Sequence, residues 1–284
     1  MKYILLLKKN IKKQKGTFFG MLILVFIITM ALCAVLAVGQ NSRVYESEQL
    51  DRVGYGDVTS WIIEQPGVEE LIDQIEELRG TEKTERQKIK QVSYKAGKKQ
   101  TQNNGMLAVY EPENYDYYIY KEDLTGIQKN PKEPKNGEMY VSPSFITMYG
   151  VDIGDSVEIQ IAGEEKQMRF TIRGFFEDPF AGSSMMGVKT MLINKASMEE
   201  LEQNALMAGD ASTVADAEML HIFQKKDSGQ KTKEFIKELN ENTDLKNYTY
   251  RSYSKTTIEG FMLIAQNIFV GFFLVFVTVL VVVA

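Results

Sequence analysis

The chain has one cysteine, Cys33, and one histidine, His221, in 284 residues. With a single thiol no disulfide can close inside it, so any folded domain must stand on its own core. No cluster of cysteine and histidine exists to hold zinc. One imidazole leaves Ser-His-Asp chemistry without a credible base. His221 lies in the alternating segment Glu218–Phe223, beside Met219, and reads as a packed or surface histidine. No Gly-x-x-x-x-Gly-Lys-Ser/Thr loop is present, so nothing in the chain is built to cradle nucleotide phosphates. The acidic pairs Glu69-Glu70, Glu76-Glu77, Glu164-Glu165 and Glu199-Glu200 fall on solvated helix faces and turns, and Glu177-Asp178 is the one pair placed to take a cation. No catalytic residue, cofactor or metal site is assigned.

Charge is missing from both ends. Gly16–Ser42 and Gly260–Ala284 contain no charged residue. Each run exceeds the roughly 20 residues that an α-helix needs to cross a bilayer. Lys2, Lys8, Lys9, Lys12, Lys13 and Lys15 precede the first run, with no acid among them. All 38 acidic residues lie from Glu46 to Glu259, and residues Arg43–Glu259 hold 27 Lys and Arg, a formal charge of −11. Lysine-rich flanks stay in the cytoplasm. The acidic middle is then outside, and the second run returns the chain. The net charge of −5 and mean hydropathy of −0.22 resemble a soluble protein because the polar middle dilutes the two runs.

Ala37-Val38-Gly39 loosely fits a signal-peptidase site, but a signal h-region is only about 7–15 residues long. The first run is therefore read as an uncleaved helix. Ile4, Leu7 and Ile11 recur at helical spacing in Tyr3–Lys15, which predicts an amphipathic helix in the headgroup layer, with Lys8, Lys9, Lys12 and Lys13 as its membrane-interface cations. The second run carries Gln266 and Asn267. They either bond water at the outer interface or meet partner helices. The chain stops at Val281-Val282-Val283-Ala284, still apolar, and is expected to be the front part of a longer protein with further spans.

The middle alternates strands and helices. Val58–Ile63 is β-rich and ends at Pro66-Gly67. Val68, Leu71, Ile72, Ile75 and Leu78 mark a helix face. Lys88–Tyr94 and Met106–Tyr110 are predicted strands, with polar Gly97–Gly105 between them as a loop. Asn130–Gly137 is the clearest internal linker, and a subdomain boundary is expected there. Val157, Ile159 and Ile161 alternate with polar residues, as do Met168, Phe170 and Ile172, and Gly163 turns the hairpin between them. Met191–Ile193 is a return strand. Met198, Leu201 and Ala205 stripe a helix. Glu218–Phe223 is a strand, Phe235, Ile236 and Leu239 stripe another helix, and Tyr248–Tyr253 is the last strand. The order is βαβ, a β-rich insert, then βαβ.

Gly137-Glu138-Met139-Tyr140-Val141-Ser142 leads into the short helix Pro143–Tyr149. Gly150-Val151-Asp152-Ile153-Gly154-Asp155-Ser156-Val157 follows, and the hairpin ends in Phe170-Thr171-Ile172-Arg173-Gly174. With the two apolar runs, this resembles the first half of the FtsX-like, MacB-type ABC transporter permeases. The resemblance implies an α+β extracytoplasmic domain, ferredoxin-like from its βαβ flanks with a β-rich insert at about 137–187, flanked by transmembrane α-helices. The expected organisation is an interface helix at 1–15, a span at 16–39, the outer domain at 40–259 and a second span at 260–284. It also implies a bacterial inner-membrane, multi-pass location with a cytoplasmic N-terminus. The partners are a separate cytoplasmic ATPase, a second permease subunit in a homo- or heterodimer, the lipid bilayer, and an extracytoplasmic partner or exported substrate. The implied role is coupling of ATP hydrolysis to movement of the outer domain, for export or mechanotransmission. The alternative is a sensor receptor whose outer domain binds a ligand. The turn glycines and Asp155 need no function beyond backbone freedom.

One loop, Gly174–Gly187, sets Phe175, Phe176, Phe180, Met185 and Met186 among glycines. Such adaptable apolar side chains suit a partner or substrate contact. The plainer reading is that they close the interface between two subdomains. Tyr115, Tyr117, Tyr118 and Tyr120 offer the same choice between a half-buried edge and a contact surface. Lys95, Lys98 and Lys99 form a basic loop, but an acidic outer domain excludes nucleic acid as a partner.

Overall fold

The computed structural model describes residues 15–63, 65–162, 166–178, 181–182, 187–208, 214–257, 264, 267–268, 270–275 and 278. The basic start with Lys8, Lys9, Lys12 and Lys13, the hairpin turn at Gly163, and much of the second apolar run lie outside these residues. The chain divides into two compact units, Met1–Glu46 with Thr257–Ala284, and Ser47–Thr256.

In the first unit, helix α1 begins at Lys15 and runs for 38 residues, into the second unit, to Arg52. At 1.5 Å per residue that is about 57 Å. Phe19, Leu22, Ile23, Val25, Phe26, Ile27 and Met30 are each more than half exposed. Leu24, Ile28, Leu32 and Val35 are half-buried and form one seam at helical spacing. The Thr29 hydroxyl donates back to Val25 O at 2.8 Å. Among the described residues, no helix is long and apolar enough to cross a membrane. The helix does not stop at residue 39, because no glycine or proline breaks the polar stretch that follows. It ends at Arg52, just before Gly54, whose φ of 72° is a left-handed value that suits glycine.

The second unit opens with β1 (Val58–Ile63), α2 (Val68–Glu77) and β2 (Thr81–Ala96). It closes with β8 (Val214–Gln224), α5 (Thr232–Asn242), the short α6 (Leu245–Tyr248) and β9 (Thr249–Ser254). These strands lie in the order β2-β8-β1-β9, every neighbour antiparallel. This is the split βαβ arrangement expected from the flanks. Leu71 and Ile75 of α2 and Phe235 and Leu239 of α5 bury their stripes against Val58, Ile62, Leu220 and Ile222.

Between these flanks come β3 (Lys99–Val109), β4 (Glu138–Val141), α3 (Ser144–Tyr149), β5 (Ser156–Ala162), β6 (Lys166–Phe175), β7 (Lys189–Ile193) and α4 (Lys195–Ala208). The pairing order β2-β3-β7-β4-β6-β5 returns to β2, so six strands close a barrel. Closure leaves those strands no free edge. Its core draws Val92, Tyr94, Leu107, Met139, Val141, Val157, Ile159, Phe170, Ile172, Met191 and Ile193 from the strands. Phe145 of α3 and Met198, Leu201 and Ala205 of α4 pack on the same cluster. The alternation read at 157–161 and 168–172 is the inward face of this barrel.

The barrel corrects three expectations. The β-rich part is wider than 137–187, because it also takes the second half of β2, all of β3, and β7. Gly97–Gly105 is not a loop. β2 turns at Gly97-Lys98 and β3 starts at Lys99, with Tyr94 opposite Thr101. Polar side chains on an outward strand face hide the strand from a composition reading. Asn130–Gly137 does not divide subdomains either, since β3 before it and β4 after it belong to one barrel. What joins the two parts is β2. It pairs with β8 as far as Val92↔Val214 and with β5 from Ser93↔Gln160. Its register against β3 slips between Val92 and Tyr94, a bulge that bends the strand there. Opposite the bend sits Gly105, where a Cβ would lie 2.8 Å from both Met191 Cε and Tyr94 Cδ1.

Candidate functional site

The second unit receives its two flanking segments at one end of the four-stranded sheet. Val58 pairs with Ser254, so the start of β1 lies beside the end of β9. Asp57 ties this end together. Its Oδ1 accepts from Lys255 Nζ at 3.1 Å, its Oδ2 accepts from Gln224 N at 2.8 Å, and its own N–H donates to Ile222 O at 2.9 Å. Gly56 passes so close that a Cβ there would meet Ile222 O at 2.6 Å.

Just before this clamp, Tyr55 stacks on His221, with ring centroids 5.0 Å apart and planes within 13°. From His221 the rings continue to Tyr115 at 6.2 Å, Tyr117 at 6.0 Å, Tyr110 at 5.0 Å and Tyr140 at 5.9 Å. Tyr140 belongs to β4 of the barrel. Six rings therefore connect the segment that follows α1 to the barrel wall. Arg52, the last residue of α1, places its guanidinium 4.4 Å from the Tyr118 ring centre. Segment 118–120 is held strand-like against 175–177: Tyr120 N–H donates to Phe175 O and Glu177 N–H to Tyr118 O, both at 2.8 Å. Of the four tyrosines that offered an edge or a contact surface, Tyr115, 7% exposed, and Tyr117 stand in this ring seam, while Tyr118 meets Arg52 and Tyr120 pairs with the 175–177 segment.

Burial sets the electrostatics. It pushes His221 down to about 3, with a smaller opposing effect from the Tyr55 backbone, so the ring is neutral at pH 7. It pushes Tyr115 up to about 12, and Tyr55 well above its usual value with help from Asp178. Glu177 is raised by burial and then by its neighbour Asp178, and the Tyr120 hydroxyl donates to it. Lys189 of β7 is wholly buried. Burial lowers it to about 8, against the pull of Asp178, and its Nζ donates to Ala181 O at 2.7 Å.

These contacts correct the loop assignment. Phe175 and Phe176 are each 1% exposed and present nothing to a partner. Phe175 ends β6 inside the barrel cluster, and Phe176 N–H donates to Val141 O at 2.9 Å. Phe180, Met185 and Met186 lie outside the described residues. Glu177-Asp178 is not an open cation site, because Glu177 takes the Tyr120 hydroxyl and Asp178 Oδ1 accepts from Ala181 N at 2.9 Å. Among the described residues, no group of three or more His, Cys, Asp or Glu is placed to hold a metal. Lys189 and Tyr55 were not singled out in the sequence. The one signal for Lys189 was a lone cation beside the apolar stretch Met191–Ile193.

On the helix-bearing face, a cavity of about 430 Å³ lies between β2, β8 and α4. Arg86 and Lys90 are paired within it. Arg86 meets Glu218 at 2.8 Å and Glu69 at 2.6 Å, and Lys90 meets Glu202 at 3.0 Å and also Asp216.

No protein-family model matches the chain, and no curated protein does. Solved structures do. The periplasmic region of MacB from Actinobacillus actinomycetemcomitans is similar at 10% identity and a TM-score of 0.31, over 77% of this chain and 97% of that one. The extracellular domain of the noncanonic ABC-type transporter YknZ from Gram-positive bacteria is similar at 11% identity and a TM-score of 0.28, over 69% of this chain and 98% of that one.

Proposed function

We propose that this chain is part of an ABC transporter permease, with both apolar runs in the cell membrane and Ser47–Thr256 outside. It supplies no ATPase activity. A separate cytoplasmic ATPase drives movement of the helices, and the outer domain carries that movement to a substrate or partner. The observation that carries the reading is α1, one helix from Lys15 to Arg52 whose charge-free part bears large apolar side chains more than half exposed. Water does not tolerate such a surface on a helix, whereas lipid does. The second run lies largely outside the described residues, and its reading as a span rests on the sequence. Within Ser47–Thr256, the residues that follow Arg52 enter the clamp at Asp57 and the ring seam from Tyr55, which lead to the β1/β9 pair and to the barrel.

The test is functional dependence. The purified chain should hydrolyse no ATP. The full-length permease should co-purify with its cytoplasmic ATPase, and disulfide trapping between the outer domain and a membrane-proximal site should change with nucleotide. ATP hydrolysis by the purified chain alone overturns the reading. Downstream sequence encoding a kinase or methyl-accepting domain in place of further spans favours the sensor instead.

A further inference from the structure

The end of the sheet that receives both flanking segments carries a second feature. Two turns lie there, residues 78–80 before β2 and residues 225–231 after β8. They are fixed to each other. Lys225 N–H donates to Gly80 O at 2.8 Å, and Gln224 Nε2 donates to Gln230 O at 2.7 Å. Gly80 is so closely packed that a Cβ would lie 2.5 Å from Gln230 Oε1 and 2.8 Å from Phe235 Cδ2. Between the turns is an open cleft of about 660 Å³, lined by Arg79, Glu82, Lys225, Lys226, Asp227 and Ser228. Arg79, Lys225 and Lys226 are exposed, and none takes part in an ion pair among the described residues. Lys231 and Lys233 follow in sequence, and both are exposed. Unmatched cations are gathered here in a domain whose acids outnumber its bases.

We propose that this cleft and its cations are a contact surface for the phosphate headgroups of an anionic bilayer. The inference rests on the reading that the flanking runs lie in the membrane. It adds that the sheet end receiving them is itself seated on lipid. Position and charge argue for it together. Asp57 and Lys255 neutralise each other at the point where the flanking segments join, so attraction must come from other cations of the same end. Arg79 offers a planar fork for phosphate oxygens, and Lys225 and Lys226 act as point charges. Glu82 and Asp227 keep the lining from becoming a deep anion trap, so the contact is a salt-sensitive surface and not a tight site.

The experiment uses the full chain in vesicles of phosphatidylcholine alone and of phosphatidylcholine mixed with phosphatidylglycerol. Hydrogen exchange is followed in peptides covering residues 78–83 and 224–231. With phosphatidylglycerol at low salt, exchange there should slow by about tenfold. High salt should abolish the effect, and so should the triple variant Arg79→Gln, Lys225→Gln, Lys226→Gln. Unchanged exchange in β5 and β6 shows that the variant is folded. If it is not, Lys226→Gln alone should show a partial loss. Equal exchange in the two lipids overturns the contact. So does protection by inorganic phosphate in phosphatidylcholine vesicles, which makes the cleft a soluble-anion site. A chain stripped from vesicles by alkaline carbonate overturns the membrane reading and this contact with it. A chain that resists carbonate but ignores the lipid overturns this contact alone.

Discussion

His221 Nδ1 lies 2.9 Å from Thr59 Oγ1, and that hydroxyl donates to Tyr55 O at 2.7 Å. The hydroxyl has one proton and gives it to the carbonyl, so the imidazole proton must sit on Nδ1. Nε2 is left buried as a bare acceptor. A second proton has no place to go, which is why burial holds the pKa at about 3. The unfolded chain takes that proton near pH 6.5 and the folded chain does not. Stability should therefore fall as pH drops from about 6.5 towards 3, with a slope approaching 1.4 kcal/mol per pH unit, roughly. Urea melts of the outer domain at pH 7 and pH 5 check this. His221→Phe should flatten that window, and identical slopes would show that His221 is not the group responsible.

Topology can be read by thiol labelling with Cys33 replaced. Asn104 is half-buried in β3, whereas Asn130 is exposed. A cysteine at Asn130 should react with a membrane-impermeant reagent on intact cells, and one at Gln14 should not. The reverse pattern contradicts the charge reading that places Lys2–Lys15 inside.

The outer domain should fold without its apolar flanks, because both of its cores lie within Ser47–Thr256. A fragment from Ser42 to Glu259 should melt cooperatively. Phe170 is fully buried in the barrel, and Phe170→Ala should cost about 3–5 kcal/mol in that melt. A fragment that stays unfolded in native buffer argues that the flanks are part of the core.

The clamp at the chain ends has its own signature. Asp57 and Lys255 are largely enclosed, with side chains 18% and 14% exposed. Lys255→Met leaves Asp57 without its cation and should cost about 1–3 kcal/mol. Asp57 also accepts from the Gln224 backbone, so Asp57→Asn should cost as much or more. A double-mutant cycle measures the coupling, and additive losses would show that the pair is incidental.

Gly105 tests barrel closure. Gly105→Ala forces a methyl against Met191, Tyr94 and Val92, and overpacking of this kind costs about 1–3 kcal/mol. An unchanged melting temperature would mean that β2 and β3 can part without penalty.

Much of this protein is written locally. The charge-free run Gly16–Ser42 needs no tertiary partner to be recognised, since charge and hydropathy act residue by residue. The stripe Leu71, Ile72 and Ile75 and the alternation Val157, Ile159 announce their elements because each must turn one face to a core. Tertiary structure decided what those faces meet. β2 reads as a short strand, yet it runs from Thr81 to Ala96, because its outward residues are polar and only β8, β3 and β5 supply their backbone partners. Phe175 and Phe176 look like an exposed sticky loop, and the barrel buries them. Lys189 looks like a surface lysine, and Asp178 with Ala181 makes its burial tolerable. The seam from Tyr55 to Tyr140 joins residues 85 positions apart. Periodicity reports which side of an element avoids water, but hydrogen-bond register and ring contacts depend on chain segments far away in sequence, and only the closed fold brings them together.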